Sequence, residues 1–521
     1  MSGSEPKVAN RGIITAAAMT ATLMQVLDSN MANVALPFMQ GSLSASQVEV
    51  TWVLTSYVMA AAIMTAPAGW LATRYGRKNL FITCLAGFTG FSMLAGWAHT
   101  LEEMILFRVL QGVCGAALVP LSQATMLDIY PFSQRAHAMA IFGMGIMLGP
   151  ILGPTLGGYL TEMYSWRYVF YVNLPLGILA IVGLALFMPR TSVRSDMRFD
   201  WIGFFVLAVG IGSLQLMLDR GSREDWFNSR EIIIEAVLAG LGLYLFAVHM
   251  MTAERPFVAP GVFKDRNFII CVVLMLFGGS ILMSSSTLLS PYLQKLAGYP
   301  VETAGLTMAP RGFGVMMGMM FASRVGGRID QRKLMAFGLS GIALAMYEVS
   351  TWTPDVSARH VMVTLLGQGF CMGCFFNPMT VMAFITLPAH LRGDGTALHA
   401  LARNIGSAIG ISITFFTLEH NIQVLHEEIG RVVTPFHRAL IDNLSIAHWL
   451  NAGTASGARL LDSMVNREAQ VIAYSNDFRL LMLSALPPLL LLFALRRAPR
   501  ASPAPPAATA APRAAVRAEA D

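Results

Sequence analysis

The chain has 521 residues, of which 55% are hydrophobic and only 13% charged. A soluble domain carries about 25% charged residues, so the deficit excludes a water-surrounded globule and points to a chain immersed in lipid. The net charge of +6 and pI of about 9.1 do not indicate nucleic acid, because the positive charge sits in short segments between apolar runs.

Those runs are about 20 residues long, the length that crosses a bilayer core. In chain order they fall at 13–36, 49–72, 79–98, 101–128, 136–160, 166–188, 201–218, 231–252, 268–292, 303–325, 334–352, 359–386, 395–418 and 478–496. In lipid the backbone must satisfy its own polar groups, so each run is a predicted helix. The alternating pattern of an outer-membrane barrel is absent. The expected fold is therefore an all-α integral membrane protein with 14 transmembrane helices. Loops on the amino-terminal side hold roughly 14 Lys and Arg, and the short loops opposite hold roughly 5, the positive-inside pattern that places both termini in the cytoplasm. Residues 1–12 are too polar for a signal peptide, so helix one serves as an uncleaved signal.

Asp28 lies within helix one, and Asn33 follows on the same helix. A carboxylate near the bilayer centre costs about 2.5–3.5 kcal/mol on insertion scales, so it needs a partner or a function. Arg108 in helix four is the candidate partner. Asp28 is about eight residues from the outer end of helix one and Arg108 about seven from the outer start of helix four. At 1.5 Å per residue the two levels agree within a helical turn. A static pair that only locks the two helices is the alternative to a proton-coupling pair. Asn33, and Gln111 one turn beyond Arg108, are candidates for lining a polar cavity, with an amide that bridges helices as the alternative.

Between helices two and three, Gly69, Arg74, Gly76, Arg77 and Lys78 form a basic turn, and Asp128 lies at the inner end of helix four. In helix five Gly145, Gly149, Gly153 and Gly157 recur every four residues, a stripe that lets another helix approach closely. Pro150 and Pro154 add bends to it. Residues 13–188 thus form a first group of six helices. A linker region follows at 189–267, polar at 189–200 and carrying two further helices at 201–218 and 231–252.

The second group spans 268–496. GWLATRYGRKNL (69–80) and SRVGGRIDQRKL (323–334) align as a weak internal repeat, matching Arg74 to Arg328 and Lys78 to Arg332. Gln111-Gly112 with Pro120 echoes Gln368-Gly369 with Pro378. Such repeats in membrane proteins build two bundles that rock around a shared site. At the position matching Arg108 the second half has Leu365, so packing alone does not explain the arginine. Arg311, His399 and Arg403 are basic residues inside predicted helices and candidate cavity residues, with structural pairing as the alternative. Gln368 and Asn377 join them as polar candidates. The 34 methionines suit a surface that binds varied apolar ligands, or serve as lipid-facing filler. Cys371 and Cys374 form a C-x-x-C without nearby His or acidic ligands, so no metal is expected. Residues 419–476 read as one long, polar extracytoplasmic loop with room for short amphipathic helices. Residues 497–521 read as a Pro/Ala-rich disordered cytoplasmic tail.

Several stretches carry a resemblance. LDSNMANVALP (27–37), GWLATRYGRK (69–78), RVLQGVCGAALVP (108–120) and GMGIMLGPILGPTLGG (143–158) resemble motifs of the major facilitator superfamily, specifically its fourteen-helix drug:proton antiporter branch. WRYVFYVNLPLG (166–177) and LDRGSREDWF (218–227) are similar to EmrB-type pumps of Gram-negative bacteria. The likeness runs from about Arg11 to Arg497. It implies the major-facilitator fold, two six-helix bundles with two extra helices inserted between them, in the bacterial inner membrane. It also implies that the helix-five bend controls closure between the bundles. The loop motif of the family has an acid, which latches onto a helix end in the second half, where this chain has Thr73. The Thr73 hydroxyl can still cap a helix end but offers no charge, so either the latch is weaker here or Asp128 serves Arg74.

No G-x-x-x-x-G-K-[ST] loop is present, so ATP is not the direct energy source, and no enzyme pattern appears. The expected function is proton-driven export of hydrophobic or amphipathic drugs and toxic compounds by alternating access. No cofactor is expected, the proton gradient being the energy source. An exporter of narrower scope, for fatty acids or a siderophore, is the alternative, and an uptake symporter a further one. The resemblance implies an EmrA-like periplasmic adaptor and a TolC-like outer-membrane channel as partners. Only 219–230 and 419–476 offer an extracytoplasmic surface large enough to dock one.

Overall fold

A computed structural model describes residues 10–131, 134–189, 199–221, 224–253, 256–326, 328–432 and 454–496. Among them fourteen long helical segments follow one another. These are α1 (Arg11–Ser42), α2 (Trp52–Thr65 continued by Ala68–Tyr75), α3 (Arg77–Trp97), α4 (Leu101–Ile129), α5 (Arg135–Met163), α6 (Tyr168–Phe187) and α7 (Trp201–Arg220). After them come α8 (Arg230–Thr252), α9 (Arg266–Leu296), α10 (Val301–Val325), α11 (Gln331–Ser350), α12 (Ala358–Ile385), α13 (Arg392–Val432) and α14 (Ala455–Ala494). Nine of these, or ten with the bent α2, are long and apolar enough by themselves to cross a membrane. The others, such as α1 with its internal Asp28 and α10 with Pro310, are diluted by polar and small residues that face neighbouring helices.

The ends of these helices have local causes. Thr100, Asp265, Asp330 and Ser357 accept backbone N–H bonds at the starts of α4, α9, α11 and α12, the role N-cap side chains play. The α2–α3 turn passes through Gly76 at φ 83, a left-handed conformation that a Cβ resists. α2 itself bends by 59° at Ala66–Pro67.

α1 to α6 pack around α1, which touches α5, α6 and α4, while α9 to α14 pack around α9, α12 and α13. α7 and α8 pair with each other, and α7 lies along α2 and α13. The two groups meet at the face where the chain begins. The cluster that fills the second group also takes in Ile14, Met126, Leu127, Ile129, Met139 and Phe142, from the near ends of α1, α4 and α5.

The repeat inferred from sequence has a structural counterpart. Lys78 donates to the carbonyls of Ala185 and Met188 at the end of α6, each at 2.7 Å. Arg332 donates to the carbonyl of Leu495 at the end of α14 at 3.1 Å. Each half thus closes its last helix with the matched cation, as expected where helix carbonyls lack donors.

One stretch departs from the sequence reading. The supposed loop 419–476 is helical at both ends, because α13 runs on to Val432 and α14 starts at Ala455. Residues 433–453, and with them the middle of that stretch, lie outside the described residues, as does the tail 497–521. The extensions are polar, which hydropathy reads as loop. They stay helical because Ile422 and Leu425 on one, and Val465, Ala469 and Ala473 on the other, keep an apolar face at helical spacing. His426 and Asp462 pair across them at 3.0 Å. The result is a two-helix projection on the far side.

Candidate proton-coupling site

α1 carries Asp28 to the middle of the first group, and α4 brings Arg108 to it. Both side chains are fully buried, and their N–O distance is 2.5 Å. Asp28 Oδ1 also accepts from Gln111 Nε2 and from Asn173 Nδ2, each at 2.9 Å. Arg108 donates to Gln111 Oε1 at 2.8 Å and to the carbonyl of Val53 at 3.1 Å. Its guanidinium lies 4.1 Å from the centre of the Tyr57 ring, a cation–π contact. Asn173 donates further to Ser92 at 2.9 Å, and Ser92 donates to the Phe170 carbonyl at 2.9 Å. Helices α1, α2, α3, α4 and α6 therefore converge on one ion pair. One guanidinium nitrogen, Nη2, has no hydrogen-bond partner among the described residues.

The depth argument correctly paired Asp28 with Arg108. Gln111, expected in a substrate cavity, instead belongs to this pair. Asn173 and Ser92 were missed. Asn173 stands in WRYVFYVNLPLG, where an amide among apolar residues near the start of a membrane helix was the available signal.

The other candidates do not join the site. Asn33 is exposed. Asn377 donates to the Met319 carbonyl at 3.0 Å and so ties α12 to α10. Gln368 Nε2 faces the sulfur of Met346 at 3.8 Å. His399 packs edge-on against Phe384, one turn from Arg403. Arg311 donates to hydroxyls of α9.

The glycine stripe of α5 packs within its own group. A Cβ added to Gly149 would lie 2.3 Å from Val26, one on Gly153 2.5 Å from Asn30, and one on Gly157 3.0 Å from Met31, while Gly145 faces Met19. All four neighbours are on α1. Contact with the second group occurs instead at Gly143, where a Cβ would come 2.3 Å from Met319. Pro150 and Pro154 lie inside the same continuous helix. The helix that approaches closely along the four glycines is thus the one that carries Asp28.

The basic turn is also rearranged. Asp128 pairs with Arg77 and, at 3.3 Å, with Arg392 of the second group. It does not serve Arg74, which has no ion pair among the described residues. Thr73 donates back to the Gly69 carbonyl at 3.0 Å and caps no helix end among the described residues. The space over Gly69 is filled from the other side, because a Cβ there would lie 2.3 Å from an Asp394 carboxylate oxygen. The acid stands on α13 rather than in the loop, and it also accepts from the Ala259 N–H at 3.1 Å.

Two helical bundles with an interior ion pair, closed against each other on one face, define a membrane transporter. The chain belongs to the Major Facilitator Superfamily, whose family model matches residues 18–411. It is 36% identical to the multidrug export protein EmrB of Escherichia coli K12 over 432 residues, 82% of this chain and 83% of that one. It is 32% identical to the fatty acid resistance protein FarB of Neisseria gonorrhoeae over 465 residues, 88% of this chain and 90% of that one. Among solved structures, the human organic anion transporter MFSD10 (TETRAN) shares the fold with a TM-score of 0.59 at 13% identity, covering 93% of this chain and all of the other.

Proposed function

We propose that this chain is a multidrug:proton antiporter of the bacterial inner membrane, exporting hydrophobic or amphipathic compounds by alternating access. The observation that carries the reading is the sealed Asp28–Arg108 pair with its Gln111 and Asn173 donors, which has no counterpart among the described residues of the second half. A proton on Asp28 removes the charge that holds Arg108, and so gives one bundle two arrangements that differ by a proton. One proton crossing 100 mV supplies about 2.3 kcal/mol, which that change can couple to outward movement of a drug. The resemblance to EmrB supports a broad range of compounds, and that to FarB supports fatty acids as a narrower range. Positive-inside charge supports cytoplasmic termini, so the closed face is the cytoplasmic one.

The same reading gives the pump an EmrA-like adaptor and a TolC-like channel as partners. Of the two candidate docks, 219–230 is largely occupied: Arg220 pairs with Glu231, Asp219 accepts from Thr55, and Trp226 packs on Phe416. Arg223 lies outside the described residues. The α13–α14 projection is the better dock. The function is tested in inverted vesicles, where an imposed proton gradient should drive drug uptake by the wild type and not by Asp28→Asn. Normal gradient-driven uptake by that variant would overturn the coupling role.

A further inference from the structure

Among the described residues of the second bundle, the buried cation Arg311 has no anion to match it. Arg311 is 7% exposed. It donates to Ser285 Oγ at 2.6 Å, Ser286 Oγ at 2.8 Å and the Leu282 carbonyl at 3.4 Å, and meets the Met372 sulfur at 3.6 Å. Every one of these acceptors is neutral. No carboxylate pairs with Arg311 among the described residues, in contrast to Arg108 in the first bundle. Neutral acceptors satisfy the N–H groups but leave the charge uncompensated, and an ionisable residue inside a membrane helix marks a functional site by default.

We propose that Arg311, with Ser285 and Ser286, is the subsite that seats the anionic headgroup of an amphipathic carboxylate during export. Three features fit that ligand. A guanidinium offers a planar fork that binds carboxylate through two parallel N–H bonds. Ser286 is half-buried rather than sealed, so the hydroxyl cradle borders accessible space and its serines can yield Arg311 to a stronger acceptor. Met308, one turn before Arg311, is half-buried, and Met372 stands beside the guanidinium, giving deformable apolar contacts for a chain of variable shape. Pro310, directly before Arg311, removes a backbone donor and loosens the helix there. The proposal rests on the export reading but concerns binding alone.

The test is equilibrium binding of laurate and methyl laurate to the full chain in phospholipid-free detergent, with no gradient. The wild type should prefer laurate at least tenfold over its uncharged ester. Arg311→Gln should erase the preference. Arg311→Lys, which keeps the charge but loses the fork, should reduce it about threefold, and it serves where the glutamine variant fails to fold. Equal binding of acid and ester by the wild type overturns the proposal. So does a preference unchanged in Arg311→Lys but abolished in Arg403→Gln, which would place the headgroup on Arg403. Adding phosphatidylglycerol to the micelles separates two sources of an anion. Undiminished laurate binding supports the substrate carboxylate, and full displacement assigns the site to a lipid headgroup instead. Failure of gradient-driven transport would leave this binding ratio intact, so the two readings fall separately.

Discussion

Asp28 and Arg108 can be a coupling device or a lock, and their energetics separate the two. Removing one member of a buried pair leaves an uncompensated charge and costs about 3–5 kcal/mol. Asp28→Asn should therefore lower the melting temperature in detergent as well as abolish gradient-driven transport. Asp28→Asn combined with Arg108→Gln removes both charges and should recover most of the melting temperature, yet stay dead in gradient-driven transport. A pair that served only as a lock would regain transport with stability. Asn173→Leu deletes the donor to Asp28 and strands the carboxylate by one bond, a loss of about 1–3 kcal/mol. A thermal melt should show that loss, and drug efflux should fall with it. The pair itself was readable from sequence because helix depth is arithmetic. Asn173 was not, because it meets Asp28 through a third helix whose rotation no linear spacing encodes. The Val53 carbonyl left no trace at all, since any residue supplies one.

At the scale of helices, the four-residue glycine spacing on α5 correctly signalled close approach but not the partner. Two bundles each offered a helix, and the stripe fits α1, with Asn30 and Met31 seated over Gly153 and Gly157. The consequence is that α5 and the Asp28 helix move as one body. Gly153→Leu should push α1 away and disturb the ion pair, reducing efflux at least tenfold at normal expression. Gly143→Leu should act differently, since Met319 belongs to the other bundle. It should keep the first bundle intact while preventing closure of the near face, seen as raised labelling of a cysteine placed at that face. Full efflux by Gly153→Leu would deny the stripe any part in the cycle. The ends of α13 and α14 were illegible for a related reason. Hydropathy tests contact with lipid, and a helix whose apolar face meets only its neighbour fails that test while remaining a helix.

At the scale of the molecule, the near face is held by charges from both bundles, with Asp128 between Arg77 and Arg392 and with Asp394 set over Gly69. The sequence displayed a departure at Thr73, but only the folded chain reveals that an acid has come from α13 instead. Ala259 donates to the same carboxylate, so the segment leading from the inserted helices is fastened into the seam. Asp394→Asn should weaken the seam without touching the ion pair. The expected outcome is a shift toward the state open on this face, measured as faster cysteine modification there. On the opposite side, shortening 425–470 should leave drug binding in detergent intact while abolishing resistance in cells and cross-linking to an adaptor. Full protection with normal adaptor capture would remove the projection from the docking role.

α13 spans 41 residues, about 60 Å at 1.5 Å per residue, against a bilayer core of about 30 Å. Its first turn is clamped in the near-face seam and its other end stands in the projection, so it is one continuous rod about twice as long as that core is thick. If the clamp acts as a pivot and the second bundle turns by about 15°, the size of a rigid-body transition between subunits, the free end sweeps about 15 Å. Opening and closing on one side of the membrane then becomes a mechanical stroke on the other, large enough for an attached protein to feel which way the pump is facing.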